Sequence, residues 1–212
     1  SSGAAARFAL TYSFFHWGVH PWAIYITMSL AIAYFSFRRG MPPLISSCFY
    51  PLLGERINGP IGYSIDILAV FATTFGIATS LGLGATQITG GLATVFPIPN
   101  NFSVTIILIA VVTVLFLISS STGLDKGIQI LSRTNILIAL VLLGFMLVVG
   151  PTSYILEVFT STLGEYLSSL VSISLSTNPF RGYEWTQSWT LFYWAWWISW
   201  SPFVGLFVAS IS

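Results

Sequence analysis

The chain has 212 residues, of which 55% are hydrophobic and 6% charged, with a net charge of +1 and a mean hydropathy of +0.87. A soluble domain carries about 25% charged residues, so a water-solvated surface is excluded, and the near-zero charge excludes a polyanion as partner, nucleic acid included. The single cysteine, Cys48, leaves no internal disulfide.

Apolar runs of roughly 20 residues, the length that crosses a hydrocarbon core, predict an all-α polytopic membrane protein. Backbone polar groups in lipid must be satisfied within the segment, which selects helices; a barrel would need short alternating segments instead. Five transmembrane helices are expected, at 13–36, 65–94, 103–121, 135–150 and 187–209, in one partial transporter domain over 1–212. The first carries His16 and His20 at i, i+4. That spacing suits a metal pair, but no third ligand lies near in sequence, so these histidines are expected to hydrogen-bond within the bundle. The second contains Gly76, Gly82, Gly84, Gly90 and Gly91, spaced for close approach of a neighbouring helix. Asp66, at its inner edge, is expected to cap its start.

Arg38, Arg39, Arg56, Lys126 and Arg133 follow the first and third spans, against Arg7 and Arg181 on the other side. The basic bias puts the loops with Arg38 and Lys126 in the cytoplasm. The first span then enters from outside and the fifth ends inside. Over 160–177, Leu163, Tyr166, Leu167, Leu170, Val171 and Ser174 recur at helical spacing among serines, which predicts an amphipathic helix in the outer interface. Pro179 and Gly182 then break the chain. No charged segment with a small-residue cleavage site opens the sequence, so no signal peptide is expected. Ser1 is not an initiator methionine and Ser212 closes on an apolar helical pattern, so both ends are expected to be cuts.

No catalytic constellation or nucleotide motif is present, which leaves an enzyme reading without support. The distinctive feature is tryptophan: Trp17 and Trp22 in the first span, and Trp185, Trp189, Trp194, Trp196, Trp197 and Trp200 around the last. Interfacial belts account for Trp185 and Trp189. At 100° per residue, Phe192, Trp196, Trp200, Phe203 and Phe207 share a face about 80° wide, with Trp197 and Tyr193 on its flank. Trp17, Trp22 and Tyr25 fall within an arc of about 140°. Trp22 and Trp197 both lie roughly 13–15 Å from the outer ends, near the midplane of a ~30 Å core. Two antiparallel helices would then present facing rings at one depth. A midplane aromatic cluster without an acid suits a quaternary ammonium, which has no N–H to satisfy and is recognised by ring faces. A lipid-facing stripe is the alternative.

Phe14–Tyr25, FFHWGVHPWAIY, and Trp189–Phe207, WTLFYWAWWISWSPFVGLF, resemble the two signature helices of the betaine/choline/carnitine transporter family. INGPIG at Ile57–Gly62 and FATTFGIATSLGLGATQI from Phe71 are similar to the family pattern too. The resemblance covers the whole sequence and implies a five-plus-five inverted-repeat transporter fold, with this stretch as helices four to eight of twelve and the substrate site at the repeat interface. It implies an aromatic cage of Trp17, Trp22, Tyr25 and Trp197 around the substrate, and a pathway lined by Phe192, Trp196, Trp200 and Phe207. It implies no cofactor, membrane lipid as surroundings, no nucleic acid, and a homotrimer in the full-length protein.

The resemblance further implies Na+ as coupling ion, held partly by Thr73 and Phe203. The position of a second threonine holds Ile77, which has no oxygen to ligate a hard cation, and Ser210 stands where the family usually has arginine. The expected function is import of a quaternary ammonium osmolyte across the cell membrane. Glycine betaine leads, with choline, then carnitine or a sulfonium analogue, as alternatives. From a different class, a non-transporting membrane sensor or scaffold on the same fold stays open.

Overall fold

The computed structural model describes residues 2–121, 129–177 and 183–211, apart from the side chains of residues 119 and 120. Asp125, Lys126, Pro179, Arg181 and Gly182 lie outside the described residues. Every regular element among those described is helical. In chain order they are α1 (Ser2–Trp17), α2 (Val19–Ala33), a π-helical turn (Tyr34–Arg38), α3 (Ile45–Cys48), α4 (Tyr50–Leu53) and a 3-10 turn (Gly54–Asn58). There follow α5 (Pro60–Val95), α6 (Phe102–Ser121), α7 (Gln129–Val149), α8 (Thr152–Ser168) and α9 (Leu170–Ser174). Last come α10 (Tyr183–Thr186), a π-helical turn (Gln187–Leu191) and α11 (Phe192–Ile211).

Among the described residues three helices are long and apolar enough to cross a membrane, Pro60–Val95, Gln129–Val149 and Tyr183–Ile211. The expectation of five spans in this stretch, as part of a five-plus-five repeat, is corrected to three candidate spans. The physical reasons are local. The first expected span is broken at Gly18, whose ψ of −129° is not helical, and Pro21 three residues on has no N–H to donate back across the gap. That leaves α1 with 16 residues, about 24 Å at 1.5 Å per residue and short of a ~30 Å core. In α2 and the π-helical turn that continues it, His20, Thr27, Ser29 and Ser36 dilute the apolar run. Among the described side chains of α6 the apolar stretch is Phe102–Ile118, about 26 Å long. The second expected span grows instead: Pro60, a favoured first helical residue, opens a helix of 36 residues.

Asp66 lies one and a half turns inside α5 and does not cap it. Its carboxylate accepts the Ser46 N–H at 2.9 Å and the Ser46 hydroxyl at 2.7 Å, and so caps the short helix α3, twenty residues away in sequence. Of the glycines expected to pack closely, Gly76 does so: a Cβ there would stand 3.2 Å from Ser199 Oγ and 3.3 Å from Trp200 Cε3. A Cβ at Gly82, Gly84 or Gly91 would meet nothing within 4 Å.

The chain divides into two compact units, Ser1–Thr79 with Thr162–Ser212, and Ser80–Ser161. In the first unit α2 and α11 lie side by side. They run parallel, not antiparallel: His20 meets Trp197 near their starts, and Gly205 meets Met28 further along. The buried residues of α11 are Trp197, Ser201, Gly205 and Ala209, one residue every four and hence one stripe of the helix. Membrane helices associate through such small residues because lipid gives no hydrophobic drive between them. At Gly205 the fit is close enough that a Cβ would stand 2.6 Å from Met28 Cγ and 3.2 Å from Ser29 N. In the second unit, Asn101 Oδ1 caps α6 by accepting the Val104 N–H at 3.0 Å, and Thr105 donates to the buried Thr89 hydroxyl of α5 at 3.2 Å.

Candidate binding site

The expected cage residues sit in the first unit and fall into two groups. Trp17, at the end of α1, meets Trp196 edge to face at 5.9 Å between ring centroids. Trp22, in the first turn of α2, meets Tyr25 at 6.0 Å in the same manner. Trp17 is 66% and Trp22 50% exposed, so both indoles offer open faces. Trp197 is only 2% exposed. It packs against Phe15 at 5.4 Å, Trp194 at 5.5 Å and His20 at 6.2 Å, within a cluster with Tyr12 and Tyr166 against which Tyr25 also rests. Trp197 tops the small packing stripe of α11, whereas Trp196 belongs to the open aromatic one. Phe192 packs on Trp196 at 6.1 Å and Trp200 on Phe203 at 5.3 Å, while Phe207 is exposed.

The two histidines are buried and use their ring nitrogens on protein partners. His16 Nε2 lies 2.9 Å from the Trp189 carbonyl, and its ring stacks on Tyr193 at 3.4 Å. His20 Nδ1 lies 3.1 Å from the Tyr166 hydroxyl and its Nε2 meets Ser174 Oγ. Among the described residues no group of three or more His, Cys, Asp or Glu side chains comes together that could hold a metal ion.

Tyr166 and Ser174, expected on an interfacial helix, are contributed by α8 and α9. Of that expected stripe, Leu163, Tyr166 and Leu170 pack on the aromatic cluster, while Leu167 and Val171 are exposed. Burial pushes the Tyr166 phenol up, so it remains an O–H that can donate as well as accept. Its part at the α1–α2 break was hidden in the sequence, because a tyrosine in an amphipathic stripe carries no sign of a partner 147 residues away.

Thr73 and Phe203 come together: both line a cavity of about 290 Å³ with Asp66, Thr74, Pro202 and Leu206. Its walls are mostly apolar side chains, and Ile77, one turn from Thr73 on α5, is not among them. Thr74 donates its hydroxyl to the Val70 carbonyl at 2.8 Å.

The family model of the betaine/carnitine/choline family transporters (BCCT) matches residues 1–212. The chain is 58% identical over 210 residues to the glycine betaine transporter OpuD of Bacillus subtilis (strain 168), an overlap of 98% of this chain and 41% of that protein. It is 46% identical over 209 residues to the high-affinity choline transport protein of Escherichia coli (strain K12), covering 98% and 31%. To the ectoine/hydroxyectoine transporter of Virgibacillus pantothenticus it is 45% identical over 211 residues, covering 100% and 42%. The chain therefore spans less than half the length of these curated relatives.

Proposed function

The chain belongs to the betaine/carnitine/choline family of transporters, and we propose that the full-length protein is a secondary active importer of a quaternary ammonium osmolyte, glycine betaine foremost. A transporter family, not an enzyme family, thus stands behind this multi-pass membrane protein. The observation that carries the proposal is the pair of open indoles, Trp17 and Trp22, beside Tyr25 and Trp196, in helices that hold none of the six acidic residues. A primary ammonium would need acceptors or a carboxylate there; a trimethylammonium group needs ring faces. Betaine comes before choline because the relative at 58% identity is named for betaine and the one at 46% for choline.

In this reading Trp17, Trp22 and Tyr25 offer faces to the methylated cation, and Trp197 is the inner ring, met when Tyr25 parts from the cluster. Each desolvated ring face contributes on the order of 2 kcal/mol. Leucine keeps bulk and loses the quadrupole, so Trp22→Leu and Trp197→Leu should each weaken betaine binding about tenfold or more, 1.4 kcal/mol being a factor of ten. Trp185→Leu, stacked on Trp189, should change little. The measurement is substrate-induced tryptophan fluorescence of the purified full-length protein, beside uptake of labelled betaine in cells. Parent-like binding by a folded Trp22→Leu would remove the cage. Loss in Trp196→Leu but not in Trp197→Leu would move it to the open stripe of α11.

A further inference from the structure

The break between α1 and α2 falls between Trp17 and Trp22, so whatever fixes the break fixes how the two indoles stand to each other. A helix that starts inside a protein leaves its first N–H groups without intrahelical partners. Here the first of them, the Val19 N–H, donates to the Tyr166 hydroxyl at 3.0 Å. Tyr166 comes from α8 and is 2% exposed. Gly18 is not helical, so the Val19 N–H has left the path that would carry it to the Phe15 carbonyl one turn back. Gly18 makes room for the contact: a Cβ there would stand 3.2 Å from the Tyr166 oxygen.

The hydroxyl is itself held. One assignment of protons satisfies the whole row of groups. The Val19 N–H donates to the phenol oxygen, and the phenol O–H donates to His20 Nδ1. The Nε2–H of His20 donates to Ser174 Oγ, whose own hydrogen goes to the Leu170 carbonyl. His20 is thus neutral, with its proton on Nε2, and it points the phenol so that the oxygen lone pair faces Val19. A phenylalanine at 166 would fill the same space and take the partner from the Val19 N–H and from Nδ1 of the buried His20.

We infer that Tyr166 is a positioning residue of the aromatic site: its hydroxyl, oriented by His20, caps α2 and sets Trp22 and Tyr25 against Trp17. This rests on the binding proposal above but touches no ligand. The test uses the full-length protein on a background without other cysteines, with spin labels at Ser13 and Leu30, exposed positions on either side of the break. Betaine affinity is measured by tryptophan fluorescence in parallel. Tyr166→Phe and His20→Leu should each broaden the label-to-label distance distribution and weaken betaine binding about fivefold to tenfold, the worth of one lost hydrogen bond in a buried site. Their double variant should be little worse than either alone, because both act through one contact. His20→Asn, whose side-chain oxygen can stand where Nδ1 stands, should recover most of what His20→Leu loses. Should Tyr166→Phe fold poorly, the two His20 variants carry the test. A folded Tyr166→Phe with parent-like distances, or with broadened distances and parent-like affinity, overturns the inference. If Trp17→Leu and Trp22→Leu also bind like the parent, it is the cage that fails, and the distances alone then decide whether Tyr166 fixes the break.

Discussion

The two units of the chain solve the same problem, an apolar helix surface, in different ways. In Ser1–Thr79 with Thr162–Ser212, helices meet through named contacts: Gly205 on Met28, Phe15 on Trp197, Tyr166 on Val19 and His20. In Ser80–Ser161, α7 has no buried residue. Ile136, Leu137, Ile138, Leu140, Val141, Leu142 and Leu143 are each more than half exposed, and consecutive positions at 100° steps cover every side of a helix. Such a helix is satisfied in its backbone and needs only lipid or a neighbouring segment around it. The lesson is that apolar composition places a helix in a membrane but does not choose its neighbours. Small residues, ring contacts and a few polar bonds do that.

The same substitution should therefore have opposite signs in the two units. Gly205→Ala puts a Cβ 2.6 Å from Met28 Cγ and 3.0 Å from its Cβ, close to backbone that cannot yield. Overpacking of this kind costs about 1–3 kcal/mol. Gly144→Ala on α7 meets nothing within 4 Å and gains helix propensity of up to about 1 kcal/mol. Thermal unfolding of the full-length protein in detergent should show the first variant melting below the parent and the second at or above it. Equal shifts would mean that the close approach of α2 and α11 is not what holds the first unit.

Much of this was legible in the sequence. Composition pointed to helices in lipid, the 100° arithmetic to the aromatic stripe of α11 with Trp197 on its flank, and the lack of a third ligand near His16 and His20 to hydrogen-bonded rings. What stayed hidden has physical reasons. Hydropathy runs unbroken across Gly18, so the first span reads as one helix although its backbone is not. On α11 both an aromatic and a small-residue stripe exist, and only in lipid does the small one become the packing face; Trp197 and Trp196, adjacent in sequence, end on opposite sides of that choice. Asp66 and Tyr166 act on partners 20 and 147 residues away, and no local pattern encodes such a distance.

A smaller effect is expected at the cavity that Thr73 and Phe203 share. With Ile77 standing one turn from Thr73, the hydroxyl oxygens on this stretch of α5 are those of Thr73 and Thr74. Ile77→Thr adds an oxygen of the kind a hard cation takes. It should alter the sodium dependence of betaine uptake more than the betaine affinity. A steep sodium curve that is the same in parent and variant would reject an ion site there.

The smallest expected signal tests the orientation of the first unit. Cys48 closes α3, in the loop that the basic residues Arg38, Arg39 and Arg56 assign to the cytoplasm. An impermeant maleimide added outside intact cells expressing the full-length protein should therefore fail to label it, while the same reagent on inverted vesicles should succeed slowly. Slowness follows from the site: Cys48 is half-buried, and burial, with the nearby Asp66 carboxylate adding to it, pushes the thiol up. The thiolate is the reactive species, so labelling of inverted vesicles should keep accelerating through the pH at which an exposed thiol is already ionised. Removing the Asp66 charge in Asp66→Asn lowers the thiol pKa and should raise the neutral-pH rate, with the carboxamide oxygen still able to accept from Ser46. Fast labelling from outside would reverse the orientation of α2 and α11 together, since the two run parallel.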